Sequence, residues 1–263
     1  MDFGPLLVSL SRPVDIYCER TSAVFDAEPL NAISNFAFLI AAYAAWKLQA
    51  RRPEGAHSAA IKALCILIGV VGIGSFVFHT IATKWAEWVD VIPILVFMIF
   101  YCWMILTVFF EWPAWLKTAA CGLLFAATFY LEAEEFAPVL WGGAMYLPSL
   151  VFMVAAGAGI WMRNAAAGRA FYAAAALFVL SFTARTLDMP LCNDIPIGVH
   201  YFWHLFNATV LYLLVRTLIL HAPARIMPAN AHGPDSGSGA PASPRAASTA
   251  TDAGIGFPLF PQN

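Results

Sequence analysis

IKALCILIGVVGIGSFVFHTI, residues 61–81, decides the fold. Its only Lys, Arg, Asp or Glu is Lys62, at its start. A helix needs about 20 mostly apolar residues to cross a bilayer. This run is too long for a strand and lacks strict alternation, so it reads as a membrane-spanning helix. The same count finds six more runs, at roughly 32–50, 88–110, 114–131, 138–162, 170–187 and 199–221. The one at 114–131 is short, and the one at 138–162 carries Pro148 in its interior. The expected fold is all-α, a polytopic membrane protein built as a bundle of seven transmembrane helices.

Composition agrees. The 263 residues are 61% hydrophobic and 11% charged, against about 25% charged in a soluble domain. So few charges cannot keep a surface in water, and the bilayer is the chain's solvent. The net charge of −2 has no basic excess that would speak for nucleic acid. Nothing in the pattern indicates an obligate protein partner.

The few charges orient the bundle. Lys47, Arg51, Arg52, Lys62, Lys117, Arg163, Arg169, Arg216 and Arg225 fall on one set of span ends and loops. Only Arg12, Arg20, Lys84 and Arg185 fall on the other. The positive-inside rule places the first set in the cytosol, so the N-terminus lies outside and the C-terminus inside. Acidic residues gather on the outer side, most densely as Asp15, Glu19, Asp26 and Glu28. Three segments follow: an outer N-terminal segment over 1–31, a transmembrane domain over 32–221, and a tail over 222–263. Residues 3–10 lack the basic flank of a signal peptide and read as a short surface helix. The tail is rich in Ala, Pro, Gly and Ser and reads as disordered.

Three of the six histidines share one depth. His79 ends the second span on the outer side, and His200 and His204 begin the seventh on the same side. The last two are spaced i, i+4 and project from one helix face. A lone histidine there is most simply satisfied by water or backbone. Three converging imidazoles suit Zn²⁺ and leave its fourth tetrahedral position open, the pattern of catalytic zinc. Such zinc lowers the pKa of its water to about 7. Haem fits poorly, because two histidines on one helix face cannot ligate opposite sides of one iron. Ser75 lies one turn before His79, and Asp90 sits where the third span starts. Alone, Ser75 reads as a hydroxyl bonded back to its helix and Asp90 as a first-turn acid. Beside zinc they supply what amide hydrolysis needs: Asp90 as proton carrier and Ser75 as donor to the developing oxyanion.

The runs DIYCERT (15–21), AEPLNAISN (27–35), GIGSFVFHT (72–80), EWVDVIP (87–93) and HYFWH (200–204) resemble the alkaline ceramidase family. That family lies within a wider group of seven-helix membrane proteins that includes the adiponectin receptors. The likeness spans residues 15–220. It implies an intramembrane zinc held by His79, His200 and His204, with Ser75 and Asp90 beside it. It implies hydrolysis of ceramide to a sphingoid base and a fatty acid. It also implies a Ca²⁺ site at Asp15, Glu19, Thr21 and Glu28, with the backbone around Tyr17. Thr21 stands where the family usually has Asn. The short Ala-rich loops look like those of bacterial members, which points to a bacterial inner membrane. Two alternatives stay open: a receptor with structural zinc, or a zinc hydrolase of another lipid bond.

Of the five cysteines, Cys65, Cys102 and Cys121 fall inside spans and read as packing residues. Cys18 and Cys192 both face the outer, oxidising side in this topology. A bond between them would tie the N-terminal segment to the start of the last helix. The alternative is two free thiols.

Overall fold

A computed structural model describes residues 8–133, 140 and 143–222. Residues 3–7 of the expected surface helix and all but the first residue of the expected tail lie outside the described residues. Among the described residues, after a helical stretch at 8–10, eight helices run in order: α1 Pro29–Ser34, α2 Phe36–Ala50, α3 Ser58–Ile81, α4 Lys84–Val108, α5 Ala114–Glu132, α6 Leu147–Trp161, α7 Ala165–Leu187 and α8 His200–His221. Short 3₁₀ turns precede α6 at Ala144–Tyr146 and follow α7 at Met189–Leu191. Among the described residues the only β-type pairing is an isolated bridge between Pro13 and Thr83. It lays the N-terminal segment against the α3–α4 turn, with Val14 N donating to Ala82 O at 2.8 Å and Lys84 N to Arg12 O at 3.0 Å.

Among the described residues six helices are long and apolar enough to cross a membrane: α3, α4, α5, α6 with its 3₁₀ lead, α7 and α8. The run expected as one helix over 32–50 is instead broken at Asn35 into the short α1 and the 15-residue α2. The reason is competition for one carbonyl. Asn31 O accepts from Ser34 Oγ at 2.8 Å and from Asn35 Nδ2 at 2.8 Å, while Asn35 N turns to Ala32 O at 3.3 Å. Side chains that bond to nearby backbone groups disrupt a helix in this way.

Other boundaries move for equally local reasons. The span expected over 138–162 becomes a helix starting at Leu147, with Pro148 in its first turn, where a missing N–H leaves no bond unmade. The span expected from 170 starts at Ala165, because Asn164 caps it by accepting from Ala167 N at 3.0 Å. The third span begins at Lys84 rather than 88, so Asp90 stands well inside α4 and is not its cap.

The core lies where α3, α4, α7 and α8 meet, filled by Leu64, Ile68, Ile105, Phe171, Val215 and Leu218. Large apolar side chains such as Ile40, Leu123, Val151 and Leu180 point outward, as a lipid-facing surface requires. Two glycines set the close approach of α3 to its neighbours. A Cβ on Gly72 would strike Phe38 of α2, and one on Gly74 would strike the Val89 carbonyl of α4. These contacts carry the end of α3 into the space between the other helices, and Ser75 and His79 with it.

Candidate functional site

His79 lies in the last turn of α3, and His200 and His204 in the first two turns of α8. All three are buried, at 0%, 2% and 1% exposure. Their ring centroids form a triangle: His79–His200 5.2 Å, His79–His204 4.7 Å and His200–His204 4.7 Å. One nitrogen of each lies within 4.8 Å of the others. His79 Nε2, His200 Nδ1 and His204 Nε2 have no hydrogen-bond partner.

The hydrogen bonds on the far sides of two rings fix their tautomers. His79 Nδ1 lies 2.6 Å from Glu28 Oε2, and an ionised carboxylate only accepts. The proton therefore sits on Nδ1, and Nε2 keeps its lone pair. His204 Nδ1 lies 2.7 Å from Ser34 Oγ. The Ser34 hydroxyl gives its own hydrogen to Asn31 O, so His204 Nδ1 is the donor and its Nε2 is again bare. Buried polar atoms without partners are costly. Nitrogens converging from three buried imidazoles, two of them anchored by a carboxylate or a hydroxyl, are the donor set a borderline-soft divalent cation takes. The residues present fit such an ion.

Beside the triad, Asp90 reaches across from α4. Its carboxylate interacts with the Ser75 hydroxyl and lies in the electrostatic field of His79, Arg185 and Glu87. Asp90 Oδ1 is buried without a hydrogen-bond partner. An acid, a hydroxyl and three bare ring nitrogens therefore share one buried patch. Below it, an apolar cavity runs among Val71, Phe97, Tyr101, Phe178 and Leu214. A second cleft opens between α4 and α5 toward Lys84, Glu87 and Glu132. Ile94, Met98 and Tyr146 line both.

The chain matches the Ceramidase family over residues 16–230. It belongs to the ceramidase family. The match takes in all three histidines, Ser75 and Asp90 and most of the N-terminal segment, and it makes the chain a hydrolase of the amide bond of ceramide. No curated protein matches it.

In this ceramidase the residues expected to bind calcium lie in different settings. Asp15 and Thr21 are exposed. Glu19 is buried, and its oxygens accept from Leu30 N at 2.6 Å and Asn31 N at 2.8 Å. Burial pushes the Glu19 carboxyl up, against the pull of those backbone donors. Burial pushes Glu28 up as well, but His79, Asn31 and Arg20 outweigh it and hold the carboxyl below its ordinary range. The Tyr17 carbonyl accepts from Arg20 N at 3.2 Å. Its ring stacks on His200 with centroids 3.7 Å apart, and burial raises its hydroxyl pKa.

Cys18 and Cys192 form a disulfide with Cα atoms 5.3 Å apart. The residue that organises this corner is one that sequence reasoning left among the outer-side acids. Asp188, 1% exposed, accepts from Cys18 N at 2.9 Å, Val199 N at 2.6 Å and His200 N at 2.8 Å. One carboxylate thus caps α8 and ties the N-terminal segment to it. Gly198 makes room: its φ is +67°, and a side chain there would strike Asp188 and Cys18. Asp188 stands twelve residues before His200, at the end of the preceding helix, so no local spacing in the sequence pointed to it.

Asp188→Asn removes the charge from all three bonds, each worth about 1.5–3 kcal/mol when the acceptor is ionised. The thermal midpoint of the purified variant is expected to fall, and dithiothreitol to reduce Cys18–Cys192 faster than in wild type. An unchanged midpoint with an unchanged reduction rate would show that Asp188 holds nothing.

Proposed function

We propose that the chain is a zinc-dependent amidase working within the membrane. It cleaves the N-acyl bond of ceramide or a ceramide-like lipid to a sphingoid base and a fatty acid. The observation that carries this reading is the convergence of three partnerless imidazole nitrogens beside Ser75 and Asp90. His79, His200 and His204 would hold the zinc, which supplies Lewis acidity and a more acidic water at neutral pH.

The chain's own residues do the rest. Glu28 and Ser34 keep the His79 and His204 rings in their metal-ready tautomer and orientation. Asp90 takes a proton from the attacking water and returns it to the leaving nitrogen. Ser75 Oγ donates to the carbonyl oxygen as it gains charge. One water is consumed: its oxygen goes to the acyl carbon, the C–N bond breaks, and the products leave as a carboxylate and an ammonium. The apolar cavity along Val71, Phe97 and Leu214 suits an acyl chain.

In this reading α1 and α2 together make the first of seven spans, jogged at Asn35. The N-terminal segment faces the periplasmic side of a bacterial inner membrane, and the C-terminus faces the cytosol. The basic residues at the opposite ends support this orientation, and so does a disulfide on the oxidising side. A reporter fused after Arg225 is expected to read cytosolic; a periplasmic reading would reverse the topology.

Elemental analysis should find about one zinc per wild-type chain, as a three-histidine catalytic site holds. The His200→Ala, His204→Ala double variant should lose it, and retained zinc there would sink the site. Asp90→Asn should keep zinc while its turnover on ceramide falls about 10²–10⁴-fold. Full activity in that variant would remove Asp90 from proton transfer.

A further inference from the structure

Arg20 is a buried cation that the catalytic reading leaves without a task. Its side chain is 4% exposed. Its Nε donates to Glu28 Oε1, one terminal nitrogen donates to Ser22 O at 3.2 Å, and the other donates to His79 O at 3.1 Å. Glu28 in turn accepts from His79 Nδ1 at 2.6 Å and Asn31 Nδ2 at 3.1 Å. One guanidinium therefore grips His79 twice, directly at its carbonyl and through Glu28 at its ring.

Two buried carboxylates in one corner, Glu19 and Glu28, repel each other and call for a cation. A calcium ion would need six to eight oxygen ligands. Here each oxygen of both carboxylates already accepts an N–H, from Leu30, Asn31, Arg20 or His79. Asp15 and Thr21 face solvent. The space beside Glu28 also holds the Arg20 guanidinium, whose charge would repel a second cation. The planar guanidinium spreads its donors over three acceptors at once, as a compact ammonium cannot.

We infer that Arg20 is the built-in cation of this site. It is a positioning residue whose guanidinium holds Glu28 against His79 and makes the N-terminal segment independent of calcium. The consequence at the metal rests on the zinc reading above. The carboxylates expected to bind calcium are instead spent on fixing α1 and the His79 ring.

Two measurements test this. Wild-type protein purified free of calcium and loaded with zinc is titrated with calcium chloride, and its thermal midpoint and retention of radioactive calcium are followed. The midpoint should stay constant with no calcium held. Stoichiometric calcium binding with a rising midpoint overturns the inference, and this arm requires no variant to fold. The second arm compares Arg20→Gln and Arg20→Lys with wild type at a temperature where all are folded. Zinc release to a chromophoric chelator should be about 10–100-fold faster in Arg20→Gln, as for loss of a group that orients a metal-bound histidine. Its kcat should fall while KM stays, and Arg20→Lys should recover part of both losses. Wild-type release and kcat in Arg20→Gln would overturn the inference. If wild-type protein takes up no zinc at all, the metal reading fails instead, and the calcium titration still judges Arg20.

Discussion

Three buried histidines, each offering a nitrogen within 4.8 Å of the others and each carrying a nitrogen without a hydrogen-bond partner, set the terms for the rest of this structure. Neutral lone pairs so placed repel one another and bond to nothing, a state that burial makes expensive. Protonating the rings would trade that cost for buried like charges. A divalent cation removes both costs. The neighbouring features read as the means of keeping the three rings aimed. Gly72 and Gly74 let α3 pack close between α2 and α4. Asp188 fixes the first turn of α8, where His200 begins. Glu28 and Ser34 decide which nitrogen of His79 and His204 is bare.

The N-terminal segment is part of this apparatus. It is pinned at one end by the Pro13–Thr83 bridge, in its middle by Asp188 and the Cys18–Cys192 bond, and at the other end by Glu19 on the first turn of α1. Between these points it delivers Tyr17 onto the His200 ring and Arg20 onto the His79 carbonyl. A short N-terminal strap thus touches two of the three histidines.

The fold was legible in the sequence to the extent that bilayer thickness dictates it. Among the described residues, helices long enough to span occur at six of the seven apolar runs, because lipid forces the backbone to bond within each segment. Their ends were less legible. The break at Asn35 depends on two side chains competing for the Asn31 carbonyl, and the start of α6 depends on Pro148 settling into a first turn. Both are choices among local hydrogen bonds that hydropathy does not weigh. In the site, the i, i+4 pair and the span-end histidine could be read directly, and the structure brings them together. The roles of Asp188 and Arg20 could not, because a loop acid and a loop base look solvated until the chain folds over them. Asp15, Glu19, Asp26 and Glu28 stood out as a crowd of carboxylates, which suggests a metal. A neighbouring guanidinium and two helix N–H groups answer the same electrostatic need.

The central claim is that these three rings hold one zinc ion within the bundle. X-ray absorption at the zinc edge of the purified, active protein tests it most directly. The account predicts nitrogen or oxygen neighbours at about 2.0–2.1 Å with the outer-shell scattering of three imidazoles and no sulfur. Sulfur scattering at about 2.3 Å, or fewer than three imidazoles, would contradict it.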